Sequence, residues 1–119
     1  MPIRKIMIEK GKTNKQIWIT EFGAPTGGPG KSYNANQFEK FTYGSDFMKE
    51  NAQRDLAVQA TGFYRQYKDW MGPFFWYSLK DSNTSKDTPE NFFGLLHFDG
   101  SKKPAYDILK NAISVDNKQ

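Results

Sequence analysis

A short apolar run that ends in a carboxylate and a glycine constrains the fold of this chain more than any other feature. The run is Ile17–Thr20, and the residues Glu21–Gly23 follow it directly. Its length and its β-branched side chains are typical of a buried strand. Glu21 would then lie at the C-terminal end of the strand, where a barrel of parallel strands places its reactive side chains. The alternative is that Glu21 caps the following turn or pairs with a lysine.

A second apolar strand is predicted after an intervening helix. Apolar residues recur at helical spacing from about Lys49 to Met71, and Gly72 and Pro73 interrupt the pattern. Residues Phe74–Leu79 are apolar on both faces, as in the strands of a buried parallel sheet. A strand, a helix and a second strand in this order predict a right-handed parallel βαβ unit.

A further helix is expected near each end of the chain. Ile3, Ile6 and Met7 are spaced as on one face of a short helix. Near the other end, Pro104 falls in the first turn of a predicted last helix. The order helix, strand, helix, strand, helix predicts an α/β fold in a single domain over residues 1–119.

The segment that follows the first strand is long and rich in glycine and proline. It extends from residue 24 to about residue 45 and is expected to be a loop. Its length and its scattered aromatic residues, which include Tyr33, Phe38 and Tyr43, favour a binding loop over a simple connection. Packing of these rings within the loop itself is the alternative.

The composition excludes several kinds of site. The chain has no cysteine, which excludes disulfides, thiol catalysis and thiolate metal sites. No apolar run approaches the ~20 residues that span a bilayer, and residues 1–12 lack the apolar stretch of a signal peptide. The net charge is +4, but the lysines are dispersed, which indicates a solvated surface rather than a nucleic-acid site. No cofactor or metal site is expected, and the cellular compartment stays open.

Three segments, in the expected order, resemble one group of enzymes. Residues Ile17–Gly23 (IWITEFG) resemble the seventh strand of the (β/α)₈-barrel retaining glycoside hydrolases of clan A. Residues Phe74–Asp81 (FFWYSLKD) resemble the eighth strand, and residues Phe93–Leu109 (FGLLHFDGSKKPAYDIL) resemble the closing loop and last helix. Within the clan, the cellulase-like and xylosidase-like families, numbered five and thirty-nine, are the most similar.

The resemblance implies roles for two residues. Glu21 would be the catalytic nucleophile, and Trp76 would form the floor of the sugar subsite beside the scissile bond. Retaining hydrolysis also needs a second carboxyl group ~5–5.5 Å from the first. In the family this acid/base is a Glu at the end of the fourth strand, and the chain has no matching segment. For Trp76, a place in the apolar core is the alternative.

The resemblance also implies that the chain corresponds to part of a barrel. A complete barrel of this kind has eight strands and ~250 residues. The 119 residues here supply the last two βα units only. The expected architecture is therefore a partial barrel that carries the C-terminal portion of a glycosidase.

Other polar residues near the predicted site are candidate sugar ligands. Asp81, Asn83 and Glu90 lie on the loop after the second strand, at the expected catalytic face, and Tyr33 lies on the loop after the first. Each could equally be a solvated loop residue. His97, the only histidine, has no partner motif and is expected to be structural or exposed.

Three functions fit these observations. The chain could carry the nucleophile half of a glycosidase site and be inactive alone, or it could bind carbohydrate without catalysis. It could also be an interaction protein, because two parallel strands leave unpaired edges that proteins normally cover. The expected partners are a carbohydrate and either a second copy or a complementary barrel fragment, with no nucleic acid and no membrane.

Overall fold

Two parallel strands form the centre of the structure, a computed structural model that describes residues 2–117 and side chains as far as residue 114. In chain order the elements are α1 (Pro2–Glu9), β1 (Ile17–Phe22), β2 (Ser32–Tyr33), β3 (Phe47–Met48), α2 (Glu50–Gln66), β4 (Met71–Trp76) and α3 (Pro104–Asn117). Strand β1 pairs with β4 in parallel. The predicted α/β class, with parallel strands and this order of main elements, is confirmed.

The main core lies between β4 and the helices α2 and α3. It contains four buried residues, with Phe74 and Trp76 of β4 packed against them: Ala57, Leu95, Ala105 and Leu109. Three of the four come from α2 and α3, and the buried face of α2 contains the polar residues Gln53 and Thr61 as well as alanines. The helices therefore cover one face of the strand pair.

The boundaries of β4 differ from the predicted ones. The strand begins at Met71 rather than Phe74, and helix α2 already ends at Gln66. Gly72 was expected to interrupt a helix, but it lies inside the strand, where an added Cβ would overlap the indole of Trp18. Close packing between the strands therefore requires a glycine at this position. Gly72 and Pro73, which were expected to end the helix, both belong to the strand.

The long segment after β1 has more structure than a loop. Strands β2 and β3 pair in parallel, and a 3₁₀ helix lies between them at Ala35–Lys40. Asp46 is buried and accepts hydrogen bonds from the backbone N–H groups of Lys31 and Thr42, both at 3.0 Å. These two bonds hold the pKa of Asp46 below its usual value, and they fix the ends of the segment to each other.

The segment predicted as an extended piece between Phe92 and Phe98 is only partly extended. It begins at the end of a 3₁₀ helix, Pro89–Phe92, and Leu96 then forms single bridges with Lys80 and Lys102. The ion pair between Asp81 and Lys103 crosses the same region. Side chains as well as backbone bonds thus order the connection from β4 to α3.

The strand face opposite the helices is open to solvent. Trp18 of β1 is 61% exposed and Phe75 of β4 is 51% exposed. The radius of gyration is 15.8 Å, against about 13.5 Å for a compact domain of this length. The accessible surface of 7798 Å² likewise exceeds the roughly 6,600 Å² expected for the mass. Both excesses agree with a sheet that has one uncovered face and with a helix α1 that has no buried residues.

Candidate functional site

Glu21 opens into a groove at the C-terminal ends of the two main strands. The groove has a volume of ≈ 490 Å³ and is named here the Glu21 groove. Its lining residues are Glu21, Phe22, Gly23, Tyr77, Glu90 and Phe93. The side chain of Glu21 is exposed, so its carboxylate is accessible to a ligand.

Backbone contacts between the two strand ends build the groove. The N–H of Tyr77 donates to the carbonyl of Phe22 at 2.8 Å, and the N–H of Ser78 donates to the carbonyl of Phe93 at 2.9 Å. Gly23 lies so close to the carbonyl oxygen of Tyr77 that any Cβ would overlap it. The glycine of the sequence motif is therefore required for the approach of the second strand to Glu21.

A tyrosine and a second glutamate stand beside Glu21. The hydroxyl of Tyr77 donates to Oε1 of Glu90 at 2.5 Å. This hydrogen bond, and then the charge of Glu90, raise the pKa of Tyr77 above its usual value of 10.0. Burial and the charge of Glu21 add smaller contributions in the same direction. Tyr77 is thus a neutral hydrogen-bond donor placed near two carboxylates.

Aromatic rings extend the groove on one side. A second cavity of ≈ 180 Å³ shares Gly23, Glu90 and Phe93 with the Glu21 groove. Its outer wall consists of Phe38, Phe41 and Tyr43, which we call the aromatic wing. The rings of Phe38 and Phe41 are stacked with centroids 5.7 Å apart, and Tyr43 meets Phe41 edge-on at 5.2 Å. Flat apolar surfaces of this kind suit the C–H faces of a sugar.

Trp76 does not line the Glu21 groove in this structure, and its role as the floor of a sugar subsite stays a prediction. In the parallel register Trp76 lies opposite Phe22, and the two rings meet at 5.7 Å. Trp76 also packs against the core beneath α2 and α3. Because neighbouring residues of a strand point to opposite faces, the open face receives Glu21 and Tyr77 instead. The aromatic residue beside Glu21 is therefore Tyr77.

Asp81 does not line the Glu21 groove either, because its carboxylate is used within the protein. Asp81 is 5% exposed, and its Oδ1 lies 2.7 Å from Nζ of Lys103. The same oxygen accepts the N–H of Gly94 at 2.8 Å. Burial lowers the pKa of Lys103, while the contact with Asp81 raises it. In this structure Asp81 joins the loop after β4 to the beginning of α3.

Asn83 and Tyr33 lie outside the Glu21 groove. Oδ1 of Asn83 accepts the N–H groups of Thr84 and Ser85 at 2.7 and 3.2 Å, which closes a local turn. Tyr33 is half-buried, and its ring lies 6.1 Å from that of Phe41 in the aromatic wing. Of Glu21, Trp76, Tyr33, Asp81 and Asn83, Glu21 alone lines the groove, and Tyr33 contacts the aromatic wing only through the ring of Phe41.

Sequence reasoning assigned no role in the site to Tyr77 and Phe93, whereas Glu90 was a candidate sugar ligand on the loop after the second strand. Alternation places Tyr77 on the opposite side of the strand from Trp76, but it does not relate Tyr77 to Glu21, because the register of β1 with β4 shifts between Ile19 and Phe22. Glu90 and Phe93 are brought to the groove by the 3₁₀ helix at Pro89–Phe92, which begins when Oγ1 of Thr88 accepts the N–H of Glu90. No periodicity in the sequence indicates that turn.

His97 is held in a polar chain on the α2 side of the molecule. Its Nε2 lies 3.0 Å from Oε2 of Glu50, and its Nδ1 lies 2.9 Å from Oγ of Ser101. The hydrogen bond to Glu50 is the main cause that raises the pKa of His97 above 6.5. The contact links the loop before α3 to the first turn of α2.

Within residues 2–117 no group of three or more histidine, aspartate or glutamate side chains is arranged to hold a metal ion. None of the helices in the same range is long and apolar enough to cross a bilayer.

Comparisons with known proteins bear on the fold alone. No protein-family profile matches the sequence, and no curated protein matches it. Among solved structures, a β-glucuronidase from Faecalibacterium prausnitzii superposes with a TM-score of 0.59 at 15% sequence identity. The fold is that of part of a glycosidase barrel. The likeness covers 96% of this chain but only 18% of that β-glucuronidase.

Proposed function

We propose that this chain supplies the nucleophile half of a retaining O-glycosidase site and is inactive alone. The observation that carries the proposal is the position of Glu21: an exposed carboxylate at the C-terminal end of a parallel strand, in a groove with aromatic walls. The fold shared with a glycosidase barrel supports a glycoside hydrolase-like origin. The relation to families five and thirty-nine rests on the three sequence motifs.

In the proposed reaction, an oxygen of Glu21 attacks the anomeric carbon of the sugar. The bond from that carbon to the leaving oxygen breaks, and the leaving group takes the electron pair and receives a proton from a general acid. The resemblance places that acid on a strand that this chain does not contain. The missing carboxyl group would come from the other six βα units of a barrel docked on the open strand face, and this complementary barrel segment is the proposed partner.

The second candidate function is carbohydrate binding without catalysis. The aromatic wing favours it, because stacked rings beside a polar groove bind sugars whether or not a general acid is present. The two candidates differ in one measurable property, the ability of Glu21 to form a covalent bond to a sugar.

A leaving group that needs no proton tests the nucleophile directly. We would incubate the chain with dinitrophenyl 2-deoxy-2-fluoro-glycosides of several sugars and measure intact and peptide masses. Because dinitrophenolate leaves without acid assistance, Glu21 should become glycosylated even though the chain has no acid/base. Ordinary alkyl glycosides should remain intact.

The matched control is Glu21→Gln, which keeps the shape of the side chain and should not be labelled. Labelling of a peptide that lacks Glu21, or of none in any of the sugar series, would contradict the proposed nucleophile. Reversible sugar binding at the aromatic wing without any labelling would favour the binding protein.

A further inference from the structure

We propose that the Glu21 groove and its aromatic wing select sugars by charge, in the order amino sugar, neutral sugar, uronic acid. The inference rests on the proposed function, since it names the substrate class of that same site. It also differs from what the name of the structurally similar β-glucuronidase would suggest.

The charged side chains that line the two cavities are acidic. Glu21 and Glu90 are both exposed and line the groove, and Asp46 lines the end beside the aromatic wing. Two backbone N–H groups keep Asp46 ionised. Among the described residues that line either cavity, none is lysine, arginine or histidine. The ionised side chains that line this surface are therefore all negative.

Among the described residues that line the Glu21 groove, a sugar carboxylate would find no positively charged partner. A uronate would need a cationic or strong hydrogen-bond donor, and the hydroxyl of Tyr77 already donates to Glu90. The uronate would lie near Glu21 and Glu90 without a compensating charge, and like charges at short range repel each other. A protonated sugar amine in the same place would be attracted by both carboxylates.

The aromatic wing can stack on a sugar ring whatever the charge of the sugar. The rings of Phe38, Phe41 and Tyr43 offer stacking surface to the C–H face of any pyranose. An ammonium group gains an additional attraction from ring faces. Stacking therefore supplies affinity common to all three sugar classes, and the carboxylates supply the discrimination.

The test compares three ligands that differ in charge. We would titrate the isotope-labelled full chain with the 4-nitrophenyl β-glycosides of glucosamine, glucose and glucuronic acid at mildly acidic pH. Backbone signals of Gly23 and Tyr77 report binding, which does not depend on turnover. We expect about threefold weaker binding at each step from glucosaminide to glucoside to glucuronide, the size of an exposed ion-pair effect. Raising the salt concentration to about 0.5 M should reduce the differences.

Substitution of Glu90 provides the charge control. Glu90→Gln keeps an acceptor for Tyr77 but removes one negative charge. The ratio of the dissociation constant of the glucuronide to that of the glucosaminide should therefore fall by about threefold. The matched variant Glu9→Gln, on α1 and outside the groove, should leave this ratio unchanged. A glucuronide that binds as tightly as the glucosaminide would overturn the charge inference and leave the sugar site intact. If no glycoside shifts the Gly23 or Tyr77 signals, both proposals fail.

Discussion

At the residue scale, the neighbouring residues Trp76 and Tyr77 have different surroundings because their side chains point to opposite faces. Trp76 is directed into the core by its register with Phe22, and Tyr77 is thereby directed into the Glu21 groove. There its hydroxyl meets Glu90, and the phenolate form is disfavoured by the carboxylates on both sides. The pKa of Tyr77 therefore depends on the contact between its hydroxyl and Glu90.

We expect Glu90→Gln to lower the pKa of Tyr77. Gln can accept a hydrogen bond from the hydroxyl but carries no charge, so it disfavours the phenolate less than Glu90 does. The absorbance of tyrosinate, recorded as a function of pH, should show one tyrosine that ionises at lower pH in the variant than in the wild type. Glu9→Gln should give the wild-type curve, and identical curves for all three proteins would show that Glu90 does not contact Tyr77 in solution.

At the element scale, a buried ion pair joins the loop after β4 to α3. Nζ of Lys103 reaches Oδ1 of Asp81 at 2.7 Å and Oγ1 of Thr26 at 2.8 Å, and it also donates to the carbonyl of Phe92 at 3.2 Å. Lys103 is 1% exposed. The contacts connect four parts of the chain that share no regular hydrogen-bond ladder. A buried charge in this position is stable only while its partner remains.

We expect Asp81→Asn to lower the free energy of unfolding by about 3–5 kcal/mol, because it leaves the buried ammonium of Lys103 without its counter-charge. The double variant Asp81→Asn with Lys103→Met should be destabilised less than the single variant. Chemical denaturation measures both.

The exposed pair of Lys102 and Asp107, at 3.7 Å, provides the comparison. Asp107→Asn should cost less than about 1 kcal/mol, since solvent screens the pair. Equal losses for Asp81→Asn and Asp107→Asn would contradict the structural role of the buried pair.

At the scale of the whole molecule, large apolar side chains are exposed, and Trp18 and Phe75 among them lie on the strand face opposite the helices. Trp18, Phe75 and Leu79 are all more than half exposed, at 61%, 51% and 64%. The apolar residues Ile3, Ile6 and Ile8 of α1 are similarly exposed. Exposed apolar surface of this kind marks an interaction site, and parallel sheets are normally covered on both faces.

We expect the isolated chain to self-associate through this face. In sedimentation velocity it should migrate above the 13.7 kDa of one copy. The pair of changes Trp18→Ser and Phe75→Ser should shift it toward the monomer, since the buried apolar area falls. Val58→Ser, on an exposed position of α2, is the control and should not. A wild-type chain that sediments as a monomer at high concentration would contradict the expectation.

Much of the fold could be predicted from periodicity. The helices α2 and α3, the apolar run of β1 and the position of Glu21 after it all follow from local pattern, which is why the α/β order was recovered. The buried face of α2 did not follow from it, because that face includes Gln53 and Thr61. The small strands Ser32–Tyr33 and Phe47–Met48 were not, because two-residue strands have no period to detect. Their pairing depends on Asp46 and on backbone contacts that bring distant residues together.

The sequence by itself determined the main helices and strands, their order and the carboxylate at the end of the first strand, since each is encoded in neighbouring residues. Tertiary structure alone decided which aromatic residue stands beside Glu21, because a face is defined only when strands take a register and helices cover one side. It also decided that Glu90 enters the groove while Asp81 leaves it for Lys103. Those choices depend on contacts between residues far apart in the chain, which local pattern does not record.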